Sequence, residues 1–330
     1  MAEPSATRTA LVTGAAGQDG SYLLERLLAD GWRVHALVRQ GDVPRPAAPG
    51  APGELVVSRV DLRDGPALAR TVAASGAELV VNLGGVSSVA RSWQDPVEVA
   101  EASGSAVAHL LAGVTELERG GVPVRVVQAS SAEVFGSPQQ VPQDEATPLA
   151  PTSPYGAAKA FAHHLVQAHR ARGGFGVNVV LYNHESPRRP TSFVTRKITA
   201  GAAAVAAGRA EHLVLGSLDV ARDWGWAPDY VDALLRAGLH DEPGDYVVAT
   251  GTAHTVAEFA AAALARVGVQ DWRATVRTDP SLVRPVDAPV LVGDASRARR
   301  VLGWRPTVDF DELVGRMVDH DVELLRRSPA

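Results

Sequence analysis

Residues 9–38 read TALVTGAAGQDGSYLLERLLADGWRVHALV, and this stretch decides the fold. Thr9–Thr13 is a short apolar strand that runs directly into Gly14, Gly17 and Gly20. A helix follows to Asp30, with Gly31 suited to its C′ position, and a second strand occupies Trp32 to Val38. A glycine turn between a strand and a helix N-terminus fits a diphosphate, because backbone N–H groups point at the anion. Gln18 and Asp19 lie inside that turn. No Lys-Ser/Thr pair follows the glycines, so this is not a nucleoside-triphosphate loop. At the end of the second strand stands Arg39, with no acid before Asp42. An Arg there holds the 2′-phosphate of NADP, where an acid would favour NAD.

The same alternation continues outward. Glu54 to Val60 reads as a strand ending at Asp61 and Leu62, a candidate adenine contact. Asp64 to Ser75 reads as a helix, Glu78 to Leu83 as a strand, Asp95–Pro96 to Arg119 as a long helix and Val122 to Ser130 as a strand. Residues 41–53, dense in Pro, Gly and Ala, read as a flexible or polyproline-like loop. Repeated strand–helix order predicts an α/β fold with a doubly wound parallel sheet, whose ligands lie beyond the C-terminal strand ends. That rule places Gly14, Asp61, Ser87, Ser131 and Glu133 together.

The chemistry concentrates between Ser130 and Lys159. Tyr155 and Lys159 share one face of a helix that starts at Ser153–Pro154. A tyrosine acting as a base needs a lowered pKa, and a cation one turn away lowers it. Lys159 also suits the nicotinamide ribose. Simple hydride transfer needs Ser131, Tyr155 and Lys159 only. Glu133 adds a second base, as removal of a carbon-bound proton requires. His163, His164 and His169 read as surface or interface residues, with no metal site. Trp224, Trp226 and Trp304 read as packing residues.

Composition sets the bounds. The chain has 330 residues, 46% hydrophobic and 21% charged, with a net charge of −5. No basic field points to nucleic acid. The absence of cysteine excludes thiolate chemistry and fits a reducing cytoplasm. The N-terminus lacks an apolar core, so no signal peptide is expected, and no run approaches the roughly 18 apolar residues of a membrane span. The expected division is a dinucleotide-binding domain over 1–183, with 229–250 returning to it. The segments 184–228 and 251–330 form a smaller α/β substrate-binding region, whose scattered Arg and Lys suit a nucleotide-sugar diphosphate.

The stretches TGAAGQDGSYL, SPYGAAKA, NHESPRR with FVTRKI, LGSLDVARDWGWAPDY and LGWRPTVDFDELV together resemble the extended short-chain dehydrogenases/reductases, and within them the GDP-mannose 4,6-dehydratase family. The likeness covers nearly the whole length. It implies a Rossmann sheet, NADP as cofactor, a GDP-sugar substrate and a triad of Ser131, Glu133 and Tyr155 supported by Lys159. It places Ser87 at the sugar, Asn183, Val194, Lys197, Arg222 and Arg284 on the nucleotide-sugar, and His184 and Arg189 at the cofactor. The family usually has Thr at Ser131, Ser at Ala132 and His at Trp226, so the last change is expected to alter the sugar pocket. Where the family carries a double Arg and a tetramer-forming loop, this chain has Arg39–Gln40 and the Pro/Gly/Ala segment. A homodimer built on helix 96–119 and the Tyr155 helix is therefore expected. The residues leave open a dehydratase for another GDP-sugar, a 4-ketosugar reductase or epimerase, and a non-catalytic NADP-binding protein.

Overall fold

This computed structural model describes residues 7–45, 48–284 and 286–327. The strands in chain order are β1 Thr9–Thr13, β2 Arg33–Val38, β3 Glu54–Arg59, β4 Leu79–Asn82, β5 Arg125–Ser131, β6 Phe175–Leu181, β7 Asn183–Glu185, β8 Leu213–Leu215, β9 Ala221–Trp226, β10 Asp245–Val248, β11 Ala253–Thr255, β12 Val276–Thr278 and β13 Val290–Leu291. Seven of them form one parallel sheet in the order β10-β6-β5-β4-β1-β2-β3. The order reverses between β1 and β4, which is where a doubly wound sheet opens its ligand crevice.

Period-two alternation sends neighbouring side chains to opposite faces. Ala10, Val12, Val34, Ala36 and Val81 pack with Leu23, Leu27, Val231 and Leu234 on one side. Leu11, Leu37, Val80 and Val126 pack with Leu68, Leu110, Val114 and Val166 on the other. The strand ends are tied by a buried polar line. Thr13 Oγ1 donates to Asn82 Oδ1 at 2.5 Å, Asn82 Nδ2 to Gln128 Oε1 at 2.7 Å, and Gln128 Nε2 to Ala129 O at 2.8 Å. Burying amides costs little only when each is paired, so this line fixes the relative heights of β1, β4 and β5.

The second lobe has its own core, built on Ile198, Leu215, Trp224, Phe259, Leu313 and Met317. Here β9 pairs antiparallel with β11 and parallel with β13 and β7, while β8 pairs with β12. The last long helix, Phe310–Arg327, is pinned to the Val194–Ala206 helix by Asp321. That carboxylate accepts from Arg196 Nη2 at 2.5 Å, Arg196 Nε at 3.2 Å and Thr199 Oγ1 at 2.6 Å.

Three expectations change. The helix from 96 to 119 is not uniform: Pro96–Val99 passes through a π-helical turn, Ala100–Ser105, into Ala106–Arg119. The wider turn brings Ser103 Oγ within 3.0 Å of the Val86 N–H, tying this helix to the loop after β4. The 41–53 loop is anchored at its end, where Gly53 N donates to Leu28 O at 2.9 Å; residues 46 and 47 lie outside the described residues. His163 and His169 are buried rather than on the surface, each 3% exposed. His163 is enclosed by Ser130, Gln167 and Asp245, and His169 lies close to Gly174 and Glu118. His164 is exposed, as expected.

Candidate active site

A cavity of about 680 Å³ lies at the C-terminal edge of the sheet and is walled on its far side by the second lobe. Ser131, Glu133, Tyr155 and Lys159 all line it. Ser131 ends β5 and caps a short 3₁₀ turn, Ala132–Phe135; its Oγ accepts the Glu133 N–H at 3.3 Å. The Tyr155 helix, Pro154–Ala171, begins with Ser153 at its cap accepting from Gly156 N, and with Pro in the first turn.

Lys159 Nζ donates to Ala129 O at 2.9 Å and lies 5.9 Å from the Tyr155 ring centroid. The expectation that this cation lowers the phenol does not hold here. Burial pushes Tyr155 up to about 12, and only the Ser131 hydroxyl and the Arg189 charge pull against it. The same burial drives Lys159 down to about 8. Burial also raises the Glu133 carboxyl, against the pull of Arg284 and Arg222, with Asp287 adding to the rise.

Lys159 thus costs stability. Its folded pKa lies below the unfolded 10.5, so the full penalty is present below pH 8 and is relieved as pH rises from about 8 to 10.5. A pKa that differs by one between the folded and unfolded chain is worth about 1.4 kcal/mol. Lys159→Met is expected to raise the melting temperature at pH 7, with the gap to the wild type closing as pH climbs through that window. An equal gap at pH 7 and pH 10.5 would remove the burial argument.

One side of the cavity is built around Asp19 and His184, both on its wall. His184 Nε2 donates to Asp19 Oδ2 at 2.9 Å, and Nδ1 donates to Tyr182 O at 2.7 Å. Both acceptors lack protons, so both ring nitrogens carry one and the imidazole is a cation. Burial works against charge on each group, yet their attraction outweighs it, holding Asp19 low and His184 high. Gln18, just behind, donates to His184 O at 3.0 Å and accepts from Ser186 Oγ at 2.8 Å. Arg189 reaches the same wall and lies 3.1 Å from Glu185.

Gly14, Gly17, Gly20, Arg39, Asp61 and Leu62 do not line this cavity; they continue the same sheet edge at the ends of β1, β2 and β3. Gly14 has φ +66°, and a Cβ on it would sit 2.9 Å from Gly84 N; one on Gly20 would sit 2.3 Å from Gly14 O. Gly17 N donates to Gly14 O at 2.9 Å, and no side chain caps the helix that follows. Such a bare, close-packed cradle fits a dinucleotide diphosphate. Arg39 is exposed and pairs with Asp42 at 3.0 Å, while Asp61 pairs with Arg63.

Ser87, Asn183, Val194, Lys197, Arg222 and Arg284 also line the cavity. Arg222 is buried, donating to Ala288 O at 2.8 Å and to Asp287. Arg284 lies 3.5 Å from Asp287 and 4.0 Å from Glu133. Asp287 therefore holds both arginines, a role sequence reasoning missed. Its signal was an acid three positions after Arg284. Trp226 does not line the cavity; it packs against the second lobe's core, as its reading as a packing residue expects, with the Arg316 guanidinium 5.0 Å from its ring. Trp224 does line it, with its ring packed on Phe259 and Phe310.

A sequence profile described as GDP-mannose 4,6 dehydratase matches residues 11–317. The chain belongs to the GDP-mannose 4,6-dehydratase family. It is 40% identical to GDP-mannose 4,6 dehydratase 2 of Arabidopsis thaliana, covering 97% of this chain and 88% of that one. It is 38% identical to GDP-mannose 4,6 dehydratase of Homo sapiens, over 97% and 93%. Among solved structures, a dTDP-glucose 4,6-dehydratase from Streptomyces venezuelae, with NAD bound, superposes with TM-score 0.83 at 26% identity, over 96% and 97% of the two chains. The UDP-glucose 4-epimerase of Thermus thermophilus, in complex with NAD, gives 0.81 at 29%, over 95% and 98%. Membership in this dehydratase family fits a cavity that carries a carboxylate beside the serine, which hydride transfer alone does not need.

Proposed function

We propose that the protein catalyses the NADP-dependent 4,6-dehydration of GDP-D-mannose to GDP-4-keto-6-deoxy-D-mannose. The observation that carries this reading is the convergence of Ser131, Glu133, Tyr155 and Lys159 on one cavity that Lys197, Arg222 and Arg284 also line. A bound nicotinamide supplies the chemistry of taking the C4 hydrogen as hydride and returning it at C6. Tyr155 takes the C4 hydroxyl proton, and Lys159 stands one turn along the same helix with its ammonium held by Ala129 O. The 4-keto group acidifies C5, and Glu133 removes that proton. The C6 hydroxyl takes the proton that Glu133 removed from C5 and leaves as one water, and the proton held by Tyr155 is the one that C5 regains. Arg222, Arg284 and Lys197 bind the diphosphate, and Ser87, Asn183 and Val194 border the sugar and nucleoside. Incubation with NADP and GDP-mannose tests this: the expected product has lost one water, and deuterium placed at C4 is found at C6. No mass change with GDP-mannose while another GDP-sugar reacts would overturn the substrate.

The choice of NADP rather than NAD is supported by Arg39, the residue after β2, whose side chain is mostly exposed and so accessible to a 2′-phosphate. Gly14, Gly17, Gln18, Asp19 and Gly20 take the diphosphate end, Asp61 and Leu62 the adenine, and His184 and Arg189 the nicotinamide end. Arg39→Ala is expected to weaken NADP binding about tenfold or more, the worth of one charge-assisted phosphate contact, with NAD unchanged. Equal losses for both cofactors, by calorimetry, would discard that role.

Phe161, Trp93 and Val97 are 49%, 39% and 65% exposed on the Tyr155 helix and the segments leading into 106–119, which supports a homodimer through that face. No described helix is long and apolar enough to cross a membrane. A cytoplasmic setting is consistent with that and with a cysteine-free chain.

A further inference from the structure

Behind the cavity lies a polar cluster that the proposed reaction does not use. On the Pro154–Ala171 helix, Tyr155, Lys159 and His163 follow one another at intervals of four, so they form a single stripe. Their neighbours are residues 129–131, at the end of β5. Lys159 Nζ holds Ala129 O at 2.9 Å, His163 Nδ1 lies 3.1 Å from Ser130 Oγ, and the Ser131 hydroxyl works on the Tyr155 phenol, pulling its pKa down against burial. The first and last of these rungs belong to the site described above. The middle one has no assigned role.

His163 is itself held from behind. Gln167 Nε2 lies 3.1 Å from His163 Nε2 and donates to Asp245 Oδ2 at 2.8 Å, while Asp245 Oδ2 stands 3.6 Å from His163 Nε2. The carboxylate is fixed in turn by Arg170 at 2.9 Å and by Asn178 at 3.0 Å, and Asn178 also donates to His163 O at 3.2 Å. The groups facing the imidazole thus come from β5 (Ser130), from its own helix (Gln167, Arg170, His164), from β6 (Asn178) and from β10 (Asp245). Glu145 lines the same small cavity of about 220 Å³ beside it. The proton placement follows. Gln167 Nε2, a donor, faces His163 Nε2, so that nitrogen accepts and the ring proton sits on the other one. Nδ1 thus carries the proton and donates to Ser130 Oγ.

We propose that His163 is a positioning residue for the dehydration: through Ser130 it sets the end of β5, and with it Ser131 and Glu133, against the helix that carries Tyr155 and Lys159. Asp245 and Gln167 orient the imidazole. This rests on the reading of Ser131, Glu133, Tyr155 and Lys159 as the reacting set. Reacting groups displaced by an ångström lose rate steeply, so the rung acts on turnover rather than on substrate binding.

The test uses two substitutions that divide the imidazole. His163→Asn keeps an amide donor where Nδ1 stood, and His163→Gln keeps one where Nε2 stood. The full-length protein is assayed with GDP-mannose for kcat and KM, alongside thermal unfolding and Ser130→Ala. The expected result is a kcat about tenfold lower in His163→Gln and in Ser130→Ala, with KM within about twofold, while His163→Asn retains kcat within about threefold. The two His163 variants should lose similar melting temperature. Parallel losses of kcat in Asn and Gln variants, tracking stability, would overturn the proposal, as would full turnover in His163→Gln. Tyr155→Phe serves as the separate control: if it turns over normally, the reacting set is wrong; if it is inactive while His163→Gln is not, only the positioning role fails.

Discussion

Glu133→Gln is expected to abolish water loss from GDP-mannose while leaving the fold and nucleotide binding in place. The side chain lines the cavity but makes no hydrogen bond that the 3₁₀ turn needs; the cap there is Ser131 Oγ accepting the Glu133 N–H. Gln preserves shape and removes only the capacity to take the C5 proton. General bases contribute roughly 10²–10⁴-fold, and the loss of kcat should fall in that range. The wild type carries a second mark of the same group. Burial raises the Glu133 carboxyl more than Arg284 and Arg222 lower it, so the acid limb of the kcat profile should lie above the ordinary carboxylate range. Activity rises with pH through that limb, because the base works deprotonated. A Gln variant with near-normal turnover, measured as mass loss, would move the second base elsewhere.

Arg196→Met should be the most damaging single change to stability. Arg196 and Asp321 are 6% and 3% exposed, and the guanidinium also donates to Pro187 O and Arg189 O. Removing it leaves a buried carboxylate with only Thr199 Oγ1 and orphans two carbonyls. Breaking a buried pair from one side costs about 3–5 kcal/mol. Replacing both partners with apolar residues should recover much of that, since the desolvation penalty goes with the charges. Urea unfolding of the single and double variants reads both numbers. A single-variant loss below about 1 kcal/mol would mean that the pair is already solvated.

Sequence pattern made the framework legible where the signal is local. The alternation around β1 and β2, and the glycines between them, need only neighbouring residues to be read. Tyr155 and Lys159 were legible for the same reason: one helical turn is a fixed geometry. What escaped depends on distant partners. His163 reads as a surface residue until Asp245, far along the chain, arrives as the neighbouring strand β10 and encloses it. Asp287 is an ordinary acid until Arg222 is brought beside it. The direction in which the Tyr155 pKa moves escaped too. Spacing gives the cation, whereas burial, which raises the phenol, is a property of the whole fold. The π-helical turn at Ala100–Ser105 has no sequence period that announces it.

The place of β10 in the sheet bears on how the chain must be made. It follows the whole of β7, β8 and β9 in sequence, yet it completes the edge beside β6. A chain emerging from the ribosome can therefore pair β1 to β6 early, but it exposes that edge until residue 248 is out. The anchor at Asp321 comes later still, so the helix bearing Val194 and Lys197 docks fully only near the end of synthesis. Both waits leave unpaired strand edge and apolar surface open to wrong partners. Vectorial folding thus orders the molecule from the β1–β6 sheet to the second lobe, and a translational pause placed before residue 248 would fall in its most aggregation-prone interval.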